Sequence, residues 1–393
     1  MRVVIIGNGG AGISAAGEIR KNMPDAEIAI VCDEPYYHYY RPRVIEYLAG
    51  KASVDDITVR KKEWYDKNSI SFLSGTRVTK IDADGKKIKI SPGEDIIYDK
   101  LIIAAGARSF LPPFPGASSK GVFTLRTVKD ADKILEYSRD RKKGVIIGGG
   151  LLGIESGAAL AARGKDITII EFSDRLLPRQ LDGPGSGALT GMLEKKGIKF
   201  LFPRKTSGID KTEGGKLRIN FENGEPVETD FAVVSAGIRP DLSLTGGTDI
   251  KADRGIMVNE LMETNVKDIY ACGDIAEYKG RVYGIWPAAA EQGSACGRAI
   301  AGKGPPYNGT VMAAKLKVAG INLASAGKTE AGEGEKELTE KSGEVYKKLV
   351  VKNDVIKGAI LLGDTGSYVK VQKYIKSGED ASGQFDVILK GAQ

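Results

Sequence analysis

The chain has little of what builds covalent or metal frameworks. Its 393 residues include three cysteines, one histidine and two tryptophans. Cys32, Cys272 and Cys296 are far apart in sequence, with no Cys-x-x-Cys or Cys-x4-Cys spacing. A disulfide framework, a zinc ribbon or an iron–sulfur cluster needs more ligands at closer spacing. Cys32 reads as a packed small residue at a strand end, Cys272 as a small-residue replacement and Cys296 as core. His38 alone cannot furnish a multi-histidine metal site. With no partner motif it reads as a surface or cofactor-rim residue, not a catalytic base. No secretory h-region fits, because a glycine turn begins at Gly7. The longest apolar stretch, Gly144 to Ala162, contains Glu155 and several glycines and changes period midway. It reads as strand, turn and buried helix, not as a membrane span. Aromatic content is 7% and no RNA or DNA motif occurs, so a pI near 9.0 does not point to nucleic acid. The expectation is a soluble cytoplasmic protein with no membrane or nucleic-acid partner.

Glycine is what the chain has in excess, at 51 residues with no three-residue period. With 41% hydrophobic and 28% charged residues the chain has a globular composition. Its length suits two or three domains. The first segment is a β-branched run, Val3-Val4-Ile5-Ile6. It leads into Gly7-Asn8-Gly9-Gly10-Ala11-Gly12, a helix-forming stretch to Arg20, and a strand over 27–31 that ends at Cys32-Asp33-Glu34. Strand, GxGxxG, helix, strand and acid is a mononucleotide unit. Its glycines permit the turn, the approach of a pyrophosphate and close helix packing, and the acid can accept from a ribose diol. The pattern recurs with Gly144 to Ile147, then Gly148-Gly149-Gly150-Leu151-Leu152-Gly153, a helix through Ala161, and a strand over 166–170 ending at Glu171. One GxGxxG is weak; two in full context are strong. Between and after these units lie short apolar strands ending in small residues, at Leu101 to Arg108, Phe231 to Asp241 and Ile269 to Asp274. From about Pro305 the texture changes. Glu330 to Glu344 reads as an exposed turn or loop, 345–351 and 355–362 as paired strands, and 368–375 as a helix.

Together, Gly7–Gly12, Ala104–Arg108, Gly148–Gly153, Ala236–Asp241 and Tyr270–Asp274 resemble the two-dinucleotide-fold flavoprotein reductases. The segments Tyr39 to Glu46, Lys315 to Ile321 and Leu361 to Asp364 narrow the resemblance to the NAD(P)H:rubredoxin oxidoreductases. It implies an α/β fold with two Rossmann-like domains, for FAD and NAD, plus a small C-terminal α+β domain. The expected boundaries are 1–112 with 241–303 for the FAD domain, 113–240 for the NAD(H) domain and 304–393 for the appendix. The single redox cysteine of the peroxidase and oxidase branches would fall near Val44, where there is none.

The same resemblance assigns residues. Gly7, Gly9, Gly10, Ala11 and Gly12 would cradle the FAD pyrophosphate, with Asp33 and Glu34 at the adenosine ribose and Val78 at adenine. Ala105, Arg41 and Arg108 would lie near the FAD phosphates or flavin. Gly273 and Asp274 would hold the ribityl chain, and Trp286 would pass the flavin pyrimidine. Gly148, Gly150, Leu152, Gly153 and Gly237 would hold NADH. Glu171 would take its adenosine hydroxyls and disfavour NADPH, a preference that Arg175 and Arg179 blunt. Glu155 would sit near the nicotinamide as the one catalytic residue. Related reductases pair its counterpart with a lysine, but that position is Glu46 here, with Arg43 as the substitute and no contact expected between Glu46 and Glu155.

The implied partner is rubredoxin or another small acidic electron acceptor, which the net charge of +7 suits. The appendix would serve dimerisation or acceptor docking, so a homodimer stays open. The alternatives are a hydrogen-peroxide-forming NADH oxidase, an electron-transfer subunit of a larger complex and a nucleotide-sensing interaction module.

Overall fold

The computed structural model describes residues 1–391. It comprises two compact units. The first takes in Met1–Val44, Ala52–Phe110 and Ile238–Thr310; the second takes in Ile45–Lys51, Leu111–Gly237 and the chain from Val311. The short segment Ile45–Lys51 therefore belongs with the second unit although its neighbours in sequence belong with the first.

The first unit is built on a five-stranded parallel sheet. Its strand order is Ile269–Ala271, Lys100–Ile103, Arg2–Ile6, Glu27–Val31 and Ile70–Leu73. Arg2–Ile6 is central and buried from Val3 onward, as a strand covered on both faces must be. The helix Gly10–Asn22 follows it and packs on the helix Trp286–Ile300. The two backbones meet closely because Gly293 and Gly297 present no side chain. A Cβ on Gly293 would lie 2.1 Å from Ala11 O, and one on Gly297 would lie 2.6 Å from Ala15 O. A three-stranded antiparallel sheet, Arg77–Asp82, Lys87–Ser91 and Ile96–Ile97, is attached.

The second unit repeats the plan. Its parallel sheet runs Val122–Thr124, Phe231–Val234, Lys143–Ile147, Asp166–Ile170 and Lys199–Leu201. It too carries a three-stranded antiparallel sheet, Thr206–Lys211, Leu217–Phe221 and Val227–Thr229. The Gly144–Ala162 stretch is a sheet strand followed by the helix Leu151–Ala161. Among the described residues no helix is long and apolar enough to cross a membrane.

The C-terminal part is a five-stranded antiparallel sheet ordered Ala313–Val318, Ile321–Gly327, Val355–Leu362, Val345–Lys352 and Lys336–Ser342. The helices Tyr368–Ser377 and Phe385–Lys390 cover one face around Leu349, Leu361 and Val371. One expectation fails here. Lys336–Ser342 is not a loop but a strand, with seven residue pairs matched to Val345–Lys352. Its charged sequence suits an edge, where lysines discourage further pairing; Leu338 turns toward the helix-covered core.

The adjacent lysines of Val345–Lys352 point to opposite faces, as alternation requires. Lys347 Nζ donates to Asp364 Oδ2 at 2.6 Å and to Ile388 O at 3.2 Å. Lys348 Nζ reaches the nucleotide-type fold, donating to Asp182 Oδ2 at 2.9 Å and contacting Glu337 Oε1 at 2.7 Å. Tyr346 O–H donates to the same Asp182 oxygen at 2.6 Å. Asp182 also caps the helix Gly183–Glu194 through Gly185 N–H. Arg175 and Glu330 meet at 3.3 Å beside this cluster. Burial alone would raise the Asp182 carboxyl; its bonds from Tyr346, Lys348 and Gly185 outweigh burial and hold it below its usual value.

Candidate functional site

Each parallel sheet ends its central strand in a glycine turn, and in each turn the three motif glycines have different reasons to be glycine. Gly7 has φ +112 and Gly148 has φ +121, and a Cβ there would lie 2.2 Å from Ala104 O or 2.3 Å from Ser235 O. Gly12 and Gly153 let the helix close on the turn, since a Cβ would lie 2.1 Å from Gly7 O or 2.0 Å from Gly148 O. Gly9 and Gly150 are unlike either. Their backbones are extended, at φ −80 and φ −78, and a Cβ would meet nothing within 4 Å. Neither the chain's conformation nor its packing requires glycine at these two positions.

Both are also helix N-caps without a side-chain capping bond, and the first turns hold no acid. The leading N–H groups of two helices, which usually find a capping side chain, are left to a ligand. Space at the second glycine, free N–H donors and the positive end of the helix dipole fit a dinucleotide pyrophosphate in both units.

In the first unit the turn is walled by residues from three segments. The Trp286 ring lies 3.0 Å from where a Gly10 Cβ would be, and Ala11 Cβ lies 2.8 Å from where a Gly273 Cβ would be. Trp286 is stacked on His38, with ring centroids 5.7 Å apart, and meets Tyr40 edge-on at 4.8 Å. His38 Nδ1–H donates to Asn8 O at 2.8 Å, and Tyr65 O–H donates to Asn8 Oδ1 at 2.7 Å. Burial pushes His38 down to about 4, so it is neutral at physiological pH. His38 is thus a buried support of the turn, and the surface reading of it is wrong. Gly273 N–H donates to Gln292 Oε1 at 2.8 Å, which ties the Gly273-Asp274 turn to the helix Trp286–Ile300. Asp274 is half-buried just beyond the strand end.

Other expected residues are more dispersed. Glu34 accepts from Tyr39 O–H and from Arg41, each at 2.6 Å, so Arg41 is engaged by Glu34. Asp33 is exposed and Ala105 follows the buried Ala104. Val78 is buried beside a β-bulge. Arg108 lies on an antiparallel ribbon and bonds to Asp241. Arg43 donates to Asp56 O at 2.6 Å. Cys272 and Cys296, remote in sequence, are fully buried in one cluster with their thiols hydrogen-bonded. Burial pushes the Cys32 thiol up to about 11, which makes it inert at neutral pH.

In the second unit Glu171 is buried against its turn. Its carboxylate accepts from Gly149 N–H at 2.6 Å and from Ser173 N–H at 2.8 Å. A carboxylate has about four acceptor sites, so capacity for a diol remains. Leu152 is half-buried in the second position of its helix, and Gly237, with φ +91, is exposed past the strand Phe231–Val234. Glu155 is half-buried one turn into the helix Leu151–Ala161, and its carboxylate has no hydrogen-bond or ion-pair partner among the described residues. Burial pushes it up to about 7, with no charge from Glu46 contributing.

That shift has a sign. The folded chain keeps the Glu155 proton up to about pH 7, while the unfolded chain releases it near 4.5. Folding is therefore penalised progressively from pH 4.5 to 7 and fully above 7. Glu155→Gln is expected to gain about 1–2 kcal/mol over wild type at pH 8 and nothing at pH 4, allowing for the water that reaches the group. Urea midpoints at the two pH values measure it; an equal gain at both would remove burial of the charge as the cause.

Asn8, Tyr65 and Gln292 were not foreseen. Asn8 occupies a free position of the glycine motif, and Tyr65 and Gln292 act through contacts with no motif of their own.

Two parallel sheets, each with an open glycine turn at a helix N-terminus and an acid after the next strand, define a two-dinucleotide-fold protein. The chain belongs to the pyridine nucleotide-disulphide oxidoreductase family, whose profile matches residues 1–293, and the profile of the rubredoxin NAD+ reductase C-terminal domain matches residues 313–379. It is 38% identical over 93% of its length to the assimilatory nitrate reductase electron transfer subunit of Bacillus subtilis, but spans only about half, 48%, of that relative. It is 34% identical to the NADH-rubredoxin oxidoreductase of Clostridium acetobutylicum, covering 98% of this chain and 96% of the relative. Among solved structures, the NAD-dependent persulfide reductase from A. fulgidus superposes with a TM-score of 0.88 at 29% identity, over 98% of this chain and 78% of that one.

Proposed function

We propose that this chain is an FAD-dependent NADH oxidoreductase that passes single electrons to a small acidic redox protein, most simply rubredoxin. The observation that carries this reading is the pair of open glycine turns, Gly9 and Gly150, each shaped for a pyrophosphate that the protein's own packing does not need. End-to-end similarity to an NADH-rubredoxin oxidoreductase supports the choice of acceptor. In this reading Gly7 to Gly12, Glu34, Gly273, Asp274 and Trp286 hold FAD, and Gly148 to Gly153, Glu171 and Gly237 hold NADH.

The chemistry FAD supplies when bound is the conversion of a hydride from NADH into single electrons for the acceptor. The chain's residues bind and orient. The helix N–H groups at Gly10 and Leu151 neutralise pyrophosphate charge. Glu171 accepts from the 2′- and 3′-hydroxyls and repels a 2′-phosphate, so kcat/KM is expected to favour NADH over NADPH about tenfold or more. Glu155, titrating near neutrality, holds or releases a proton near the nicotinamide.

The test mixes the purified protein anaerobically with NADH and rubredoxin and follows bleaching of rubredoxin, against NADH consumption in air. Rubredoxin reduction far faster than oxygen-driven turnover supports the reading; slow reduction with fast oxygen use overturns it. Similarity to an electron transfer subunit favours a second reading, in which the acceptor is a larger catalytic partner. Slow turnover with both rubredoxin and oxygen would favour that one.

A further inference from the structure

Phe172 immediately follows the acid proposed to bind the adenosine ribose. It is 70% exposed, and it is the only aromatic ring among the exposed large hydrophobic side chains described. Its backbone is not loose. Glu171 O accepts from Arg204 N–H at 2.9 Å, Glu171 N–H donates to Leu201 O at 3.0 Å, and the Glu171 carboxylate folds over Phe172 to take Ser173 N–H at 2.8 Å. Phe172 is thus the apex of a turn pinned on both sides, which holds the ring out without an apolar neighbour to cover it.

A ligand that offers a diol to Glu171 carries its base one carbon further on. For an adenosine that base is a flat, apolar-faced purine, and it falls beside the residue after the acid. The neighbouring side chains are poor surfaces for it. Ser173 and Asp174 are polar, and the Arg175 guanidinium is directed to Asp174 at 3.4 Å and to Glu330 at 3.3 Å. Among the residues of this turn, Phe172 carries the one aromatic ring, and it is the exposed one; Phe202 on the adjoining segment is half-buried. We propose that Phe172 is the platform on which the adenine of NADH stacks. This rests on the reading of the second unit as an NADH site and adds the group that recognises its base.

Stacking of a base on an aromatic side chain is worth about tenfold or more in affinity by alanine substitution. The probe is ADP-ribose, titrated calorimetrically into the holoenzyme. Phe172→Ala is expected to weaken its binding about tenfold, Phe172→Leu to recover little, and Phe172→Tyr to restore it. KM for NADH should follow the same order, whereas the loss should be absent with reduced nicotinamide mononucleotide, which has no adenine. Affinities for ADP-ribose within twofold of wild type in Phe172→Ala would overturn the platform. A changed KM for the acceptor at unchanged ADP-ribose affinity would overturn it in favour of a protein contact. If wild type binds neither ADP-ribose nor NADH, the nucleotide reading itself falls and the platform with it.

Discussion

A Gly150→Val protein is expected to fold at wild-type stability and to bind NADH about a hundredfold more weakly. The extended backbone at Gly150 accepts a branched residue, and a Cβ there touches nothing within 4 Å. The new side chain would fill the space in which a pyrophosphate approaches the helix N–H groups. Losing two charge-assisted hydrogen bonds costs roughly 3 kcal/mol, which is about two decades in Kd. Gly153→Val should behave in the opposite way. Its Cβ would lie 2.0 Å from Gly148 O, a backbone atom that cannot move without opening the turn. Destabilisation of at least about 3 kcal/mol is expected there. Urea unfolding and NADH titration on both variants separate the two roles. Equal stability losses at the two sites, or full NADH affinity in Gly150→Val, would show that the open space is not a ligand's.

Removal of the Lys348 charge should have a comparably large effect, on folding instead of binding. The Lys348 and Asp182 side chains are only 3% and 7% exposed. Lys348→Ala leaves a buried carboxylate without its cation, and such losses cost about 3–5 kcal/mol. Asp182→Asn combined with Lys348→Met should recover much of that loss, because the asparagine Oδ1 can still cap Gly185 while its Nδ2 donates to the Tyr346 hydroxyl, and the Lys348–Asp182 charges are both gone. Denaturant midpoints for Lys348→Met, Asp182→Asn and the double form a cycle. A single variant within 1 kcal/mol of wild type would mean that water reaches the cluster and screens it. The network joins the C-terminal sheet to the helix after the Glu171 loop, so its loss should also lower the cooperativity of unfolding.

Much of the nucleotide architecture was legible in the sequence because it is local. A β-branched run, a glycine turn and an apolar helix are contiguous, and each element's period is set by residues a few places apart. The two glycine motifs, Glu171 and the strand pairs of the C-terminal sheet could be read for that reason. The segment 336–342 could not. Leu338 is its one apolar side chain, too few to show a period, so the charged sequence resembles a loop until a partner strand supplies the hydrogen bonds. Nor did two consecutive lysines announce that both are buried, since Asp364 and Asp182 lie on different elements and on opposite faces of the sheet.

The sequence by itself determined that there are two dinucleotide turns, which residues form them and which acid follows each, since φ sign, helix start and strand end are short-range properties. The tertiary structure alone decided what those turns rest on. His38, Trp286, Asn8 and Tyr65 come from four segments, and Gln292 reaches Gly273 from the helix that Trp286 begins. Cys272 meets Cys296 only because one ends a strand and the other faces it from that helix. Burial likewise moved Glu155 to neutrality and His38 well below it, and burial belongs to the packed chain: desolvation depends on every neighbour, and no stretch of sequence contains them all.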